Sequence, residues 1–333
     1  MIRAFYSGLI QQSGGITKTS KILVRGGISV AILAALVWWL PTESLFLAIV
    51  SVPLPTWLLV ISGFLAGHLV SAFKWRLLLG AAGVKISARE AVRAHAAGLF
   101  ANLCLPSVVG GDVIRAGLIV RDHKRVEHVS LGSVADRIND SFALLLIASV
   151  AGMLVPAAAE INTVYILSRL ALVLLGIVVT GFVLIQLVPV SYMPLKLRNI
   201  VFRFREALVS LMSAPGIALL AFLMSVGIQA GFILLNIMLA KEIGIEAGAS
   251  LWFFAWPLAK LIALAPISLG GIGVREVAIA GLMSPFGIQP ALVVAQSLCW
   301  EAVLVLSGLL AGGMAANMGR GANPDQSREE SHA

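Results

Sequence analysis

Six uninterrupted apolar runs of about 20 residues or more, near 22–47, 54–73, 132–155, 164–188, 216–240 and 288–317, constrain this chain more than any other feature of its sequence. Hydrocarbon offers no partner to a backbone N–H or C=O, so a run long enough to cross a bilayer must satisfy its own backbone as a helix. The composition agrees, with 59% of residues hydrophobic and only 12% charged, and a mean hydropathy of +0.98. A globule facing water needs far more charge than this. The expected fold is an all-α polytopic membrane protein. It has a cytoplasmic N-terminal tail at 1–21, a single integral membrane domain at 22–317 and a disordered cytoplasmic tail at 318–333.

The net charge of +8 raises nucleic acid as a partner. That class is excluded, because the basic residues fall in short clusters between apolar runs rather than along one polar face. Cys104 and Cys299 both sit in apolar sequence, too isolated for a disulfide scaffold or a metal site, and read as buried thiols. No P-loop, Ser-His-Asp order or metal-ligand cluster is present, so no cofactor or metal is expected and an ATP-driven pump is disfavoured. The basic flank before Ile22 is followed by no small-residue cleavage site, which predicts a retained first span.

Two further apolar stretches, about 88–120 and 250–284, are broken in the middle by one pattern that occurs twice: Pro, three residues, Gly-Gly, three residues, Arg. It reads Pro106, Gly110, Gly111 and Arg115 in the first stretch, and Pro266, Gly270, Gly271 and Arg275 in the second. Glycine is abundant in this chain, but proline and arginine are scarce, so their recurrence in register points to an internal duplication. Lys and Arg concentrate in short cytoplasmic loops. With the N-terminus inside and both broken stretches treated as re-entrant hairpins, every basic residue except Arg169, Lys241, Lys260 and Arg275 falls on the cytoplasmic side. Three spans then separate the motifs, so the hairpins enter from opposite sides. The expected architecture is six spanning helices plus two oppositely oriented re-entrant hairpins, in inverted repeat halves of about 22–155 and 164–317. In transporters built this way, broken helices meet near the midplane and the binding site lies between the halves.

A helix that restarts after Gly110-Gly111 points free N–H groups and a positive dipole end into the break, a seat suited to phosphate. Arg115, one turn on, adds a bidentate fork. Gly270, Gly271 and Arg275 repeat the arrangement, while Asp112 has no counterpart at Ile272 and Glu276 none at Ala116, which predicts an asymmetric site. Pro106, Pro266, Asp112 and Glu276 complete the expected substrate-binding set. Asp136, Arg137 and Asp140 open the run at 132–155, with Arg137 within helical reach of Asp140; a structural ion pair and a gating role are equal readings. Glu301 lies deep in an apolar run, and its partner is Lys260 or Arg275; these join the expected gating or coupling residues. His68 and His95 read as packing or surface residues, and Lys74-Trp75-Arg76 as an interfacial anchor.

The segment Asn102-Leu103-Cys104-Leu105-Pro106-Ser107 with Gly110-Gly111-Asp112 and Arg115, the pair Asp136-Arg137 after Ser133-Val134, and the run Pro266 to Glu276 resemble the lysylphosphatidylglycerol synthase transmembrane-region family. The resemblance covers roughly 20 to 317 and implies a flippase-like domain of the bacterial cytoplasmic membrane. Such a domain moves a lipid with a polar, often aminoacylated or glycosylated, headgroup between leaflets. This sequence has Asp136 where the family often shows Glu, and it lacks the soluble aminoacyl-transfer domain of the bifunctional synthases, so synthase activity is not carried over. The leading expectation is a non-enzymatic translocase or transport protein for a membrane phospholipid or lipid-linked substrate. The alternatives are an intramembrane enzyme using Asp112, Asp140, Glu276 or Glu301 as acid or base, and a protein that presents lipid to a membrane-protein partner.

Overall fold

The computed structural model describes residues 50–104, 110–155, 194–263 and 273–320, with isolated positions between 176 and 187. The run at 22–47, most of 164–188, the N-terminal tail and residues 321–333 lie outside the described residues, as do Pro106, Pro266, Gly270 and Gly271. Among the described residues the chain is helical without a strand. The α-helices are α1 Leu54–Ala81, α2 Ala88–Cys104, α3 Gly110–His123, α4 Val126–Met153, α5 Leu195–Met212, α6 Pro215–Glu242, α7 Ala249–Ile262, α8 Val274–Met283 and α9 Pro290–Arg320.

By length and apolarity, α1, α6 and α9 can cross a membrane. At 28 residues, α1 and α6 each extend about 42 Å, longer than the hydrocarbon core. Each carries proline in its first turn, where the missing N–H has no intrahelical partner to lose. The 28-residue α4 is as long, but it holds Glu127, Asp136, Arg137 and Asp140 before its apolar C-terminal part. Its place in the bundle depends on where those charges point. Large side chains such as Leu219, Leu223, Leu309 and Leu310 face outward, as expected of a surface solvated by lipid.

Two turns of the same form follow α1 and α6. Gly83 has φ +94° and Gly244 φ +81°, the left-handed conformation that glycine adopts without a Cβ clash. In each turn the next residue's N–H returns to the helix, Val84 to Leu79 O at 2.8 Å and Ile245 to Ala240 O at 2.9 Å, closing the last carbonyls as a Schellman cap does. The helix that follows begins at Ala88 in one case and Ala249 in the other.

Helix α1 runs antiparallel to α6, because Thr56 at its start donates to Glu242 Oε1 at the end of α6 at 2.9 Å. Helix α2 likewise opposes α9, with Arg89 donating to Met318 O at 3.2 Å. Helix α4 packs along α7. Exchanging α1, α2 and α4 with α6, α7 and α9 maps this set of contacts onto itself. The main core lies where α1, α6, α7 and α9 meet, around Phe64, Phe232, Trp252, Trp256 and Trp300. Trp300 meets Phe64 and Trp256 edge to face at centroid distances of 5.5 and 5.6 Å, the geometry aromatic quadrupoles favour. A smaller core around Trp75, Leu79, Ile119 and Val129 fills the end of the bundle where α1 stops and α4 starts.

Candidate functional site

Helices α2 and α3 form a hairpin whose two ends meet. At the base, Glu90 in the first turn of α2 accepts a hydrogen bond from His123, the last residue of α3, at 2.9 Å. At the tip, Gly111 N–H donates to Asn102 Oδ1 at 2.8 Å, so the side chain of α2 takes up one of the free amides that a helix start leaves. A Cβ on Gly111 would lie 2.3 Å from Gly98 O. Glycine is what lets the two backbones touch.

This hairpin carries Arg115 into a buried network. The guanidinium is 4% exposed and meets Asp136 Oδ2 at 2.7 Å and Asp112 Oδ1 at 3.1 Å, while lying over the Trp75 ring at 4.7 Å. Lys74 Nζ reaches Asp136 at 3.0 Å and Asp140 at 2.5 Å, and donates to Ser225 Oγ at 2.9 Å. Ser225 in turn donates to Asp140 at 2.8 Å. Arg137 bonds Asp112. Three cations from α1, α3 and α4 thus interlock with three carboxylates from α3 and α4, joined by Ser225 of α6. Burying an isolated ion is costly, and mutual pairing offsets part of that cost, with Arg115 Nε and Asp136 Oδ1 left without a well-aligned hydrogen bond.

Several expectations change here. Lys74 and Trp75 are not an interfacial anchor: they are 1% and 0% exposed, because α1 runs on to Ala81 and places both inside the bundle. Arg137 pairs with Asp112 rather than Asp140, since Lys74 already occupies Asp140. His68 and His95, expected as packing or surface residues, face each other, Nδ1 to Nε2, at 3.1 Å.

Above the network lies a cavity of about 330 Å³, lined by His68, His95, Gly111, Arg115, Asp140 and Lys260 among others. It shares His68, His95 and Leu99 with a second, almost wholly apolar cavity of about 410 Å³ between α1, α2 and α9. Lys260 reaches the polar cavity from α7. Its ammonium donates to Gln229 Oε1 at 2.9 Å and lies 5.8 Å from the Phe232 ring centroid.

The second motif forms a separate cluster. Arg275 pairs with Glu301 at 2.5 Å and with Glu276 at 2.8 Å, and stacks over Trp256 at 5.4 Å. Glu276 is fully buried and accepts the Gly273 N–H at 2.6 Å. Of the two partners expected for Glu301, the structure selects Arg275. Gly110, Gly111, Asp112, Arg115, Asp136, Arg137, Asp140 and Lys260 therefore gather at one place, and Arg275, Glu276 and Glu301 at another. Lys74, Ser225, Gln229 and the two histidines are site residues that sequence reasoning passed over. The signal for Lys74 was a helix longer than its apolar run. Among the described residues no group of three His, Cys, Asp or Glu side chains is placed to hold a metal.

The protein family described as lysylphosphatidylglycerol synthase TM region matches residues 27–312, nearly the whole chain. No curated protein matches it.

Proposed function

The chain belongs to the lysylphosphatidylglycerol synthase TM region family, and from that membership we propose that this multi-pass membrane protein is a lipid translocase without enzymatic activity. One observation carries the reading: a polar cavity opens beside an apolar one, with His68, His95 and Leu99 as their common wall. An amphiphile fits such a pair, its headgroup against the ion-pair network and a chain along α1, α2 and α9. The recurring Schellman turns and the exchangeable packing of α1, α2, α4 with α6, α7, α9 support two inverted repeats around this site. The α2–α3 hairpin, with both ends at one end of the bundle, supports a re-entrant element. Arg115 and Arg275, each held by two carboxylates, act in this reading as the pins of their hairpins. Exchange of those pins between the halves would open the site alternately to the two leaflets.

The basic residues Arg89, Arg121, Lys124, Arg125 and Arg203 share the end of the bundle at which α2 starts and α3 ends. That end is the cytoplasmic one in this reading, in the cytoplasmic membrane of a bacterium. Reconstitution into liposomes with a fluorescent phospholipid, followed by quenching from outside, tests the proposal. Protein-dependent loss of the protected inner-leaflet signal is expected, slowed at least tenfold when a bulky Trp replaces Leu99 in the shared wall. Equal rates with and without protein for phospholipids of several headgroups would sink it.

A further inference from the structure

The ion pairs of the polar cavity do not balance. Arg115, Arg137 and Lys74 are matched by Asp112, Asp136 and Asp140, through the contacts described above. The two histidines add no charge. Arg115 donates to His95 Nδ1 at 3.4 Å, so that nitrogen accepts and the His95 proton sits on Nε2. His95 Nε2 then donates to His68 Nδ1, which leaves both rings as neutral tautomers. Lys260 remains as a fourth cation facing the cavity with no carboxylate partner among the described residues; an amide oxygen and an aromatic face are what it touches. A half-buried ammonium with only neutral partners is incompletely compensated. The Arg275, Glu276 and Glu301 cluster carries one surplus carboxylate, but none of its members lines the cavity.

We infer that the cavity takes a membrane lipid with a single phosphodiester anion, bound by Lys260, with its chain in the adjoining apolar cavity. This rests on the reading of the two cavities as one amphiphile site. The arginines of the repeated motif are then positioning residues, because their charges are paired with Asp112, Asp136, Glu276 and Glu301. A monoanion neutralises the surplus charge. A zwitterionic headgroup leaves its own cation beside the paired network without a free carboxylate, and a dianion exceeds the charge available. The ligand chemistry is shared with water-soluble phosphodiesters, from which the apolar cavity distinguishes the lipid.

Native mass spectrometry of the full chain in nonionic detergent, titrated with phosphatidylglycerol, phosphatidylcholine or chain-free glycerophosphoglycerol, tests this. Wild-type protein is expected to prefer phosphatidylglycerol to phosphatidylcholine by roughly tenfold or more, the scale of leaving the choline charge beside Lys260 without a partner. Lys260→Gln should abolish the preference and Lys260→Arg retain it, while glycerophosphoglycerol should compete poorly. Equal binding of the two lipids by wild type overturns the inference whether or not the variants fold. Undiminished preference in Lys260→Gln assigns the anion to another group, and equal competition by glycerophosphoglycerol removes the lipid. Selective binding without translocation in liposomes would remove the translocase reading and leave this inference standing; translocation with no headgroup preference would do the reverse.

Discussion

At the scale of single residues, the buried ions differ in what they are for, and stability separates them. Lys74 lies against two carboxylates, so Lys74→Ala leaves Asp136 and Asp140 facing each other with one cation fewer. Breaking a buried pair from one side costs about 3–5 kcal/mol, and a clear fall in the unfolding midpoint in detergent is the expected result. Lys260→Gln removes a charge that no carboxylate opposes among the described residues, so its unfolding midpoint should equal or exceed that of wild type. Comparable losses in the two variants would mean that Lys260 belongs to the structural network. Neither role is legible in the residue type. Arg115 stood out in the sequence because arginine is scarce in apolar runs; of its partners only Asp112 lies on the same helix, three residues earlier, while Asp136 and Trp75 come from α4 and α1. His68 and His95 meet only because α1 and α2 fold together.

At the scale of elements, the α2–α3 hairpin depends on contact between backbones. A Cβ at Gly111 would sit 2.3 Å from Gly98 O and 2.5 Å from Asn102 Oδ1, whereas one at Gly80 would meet nothing within 4 Å. Gly111→Ala should therefore destabilise by about 1–3 kcal/mol through overpacking and impair translocation. Gly80→Ala, at a helical position, should be neutral or stabilising by up to about 1 kcal/mol. Thermal unfolding of the two variants checks the contrast, and equal midpoints would mean that the hairpin does not need the close approach. The break at Gly110-Gly111 was visible in the sequence because Pro and Gly-Gly interrupt an apolar run. The lengths of α1 and α4 were not: charged residues sit inside both helices, and an apolar window stops where the helix does not.

At the scale of the whole molecule, the antiparallel pairs α1–α6 and α2–α9 place the ends of the bundle apart. The end with Lys124 is expected inside the cell, and the end with Glu246, beyond α6, outside. Single cysteines at these positions test this in a background with Cys104 and Cys299 replaced by Ser. A membrane-impermeant maleimide applied to intact cells should label Glu246→Cys and spare Lys124→Cys until the membrane is opened. Labelling of both from outside would reject the antiparallel arrangement across the bilayer. The reversed pattern would keep the arrangement and invert the molecule.

The sequence by itself determined the solvent and the class of fold, because apolar runs of this length satisfy their backbones only as helices in lipid. It also marked where helices break and that the break recurs, since proline, glycine and arginine act locally. Which charges cancel was decided by the tertiary structure alone. Coulomb energy depends on distances between helices that lie far apart in the chain. Only folding could therefore bring Asp136 to Arg115 and leave Lys260 facing the cavity.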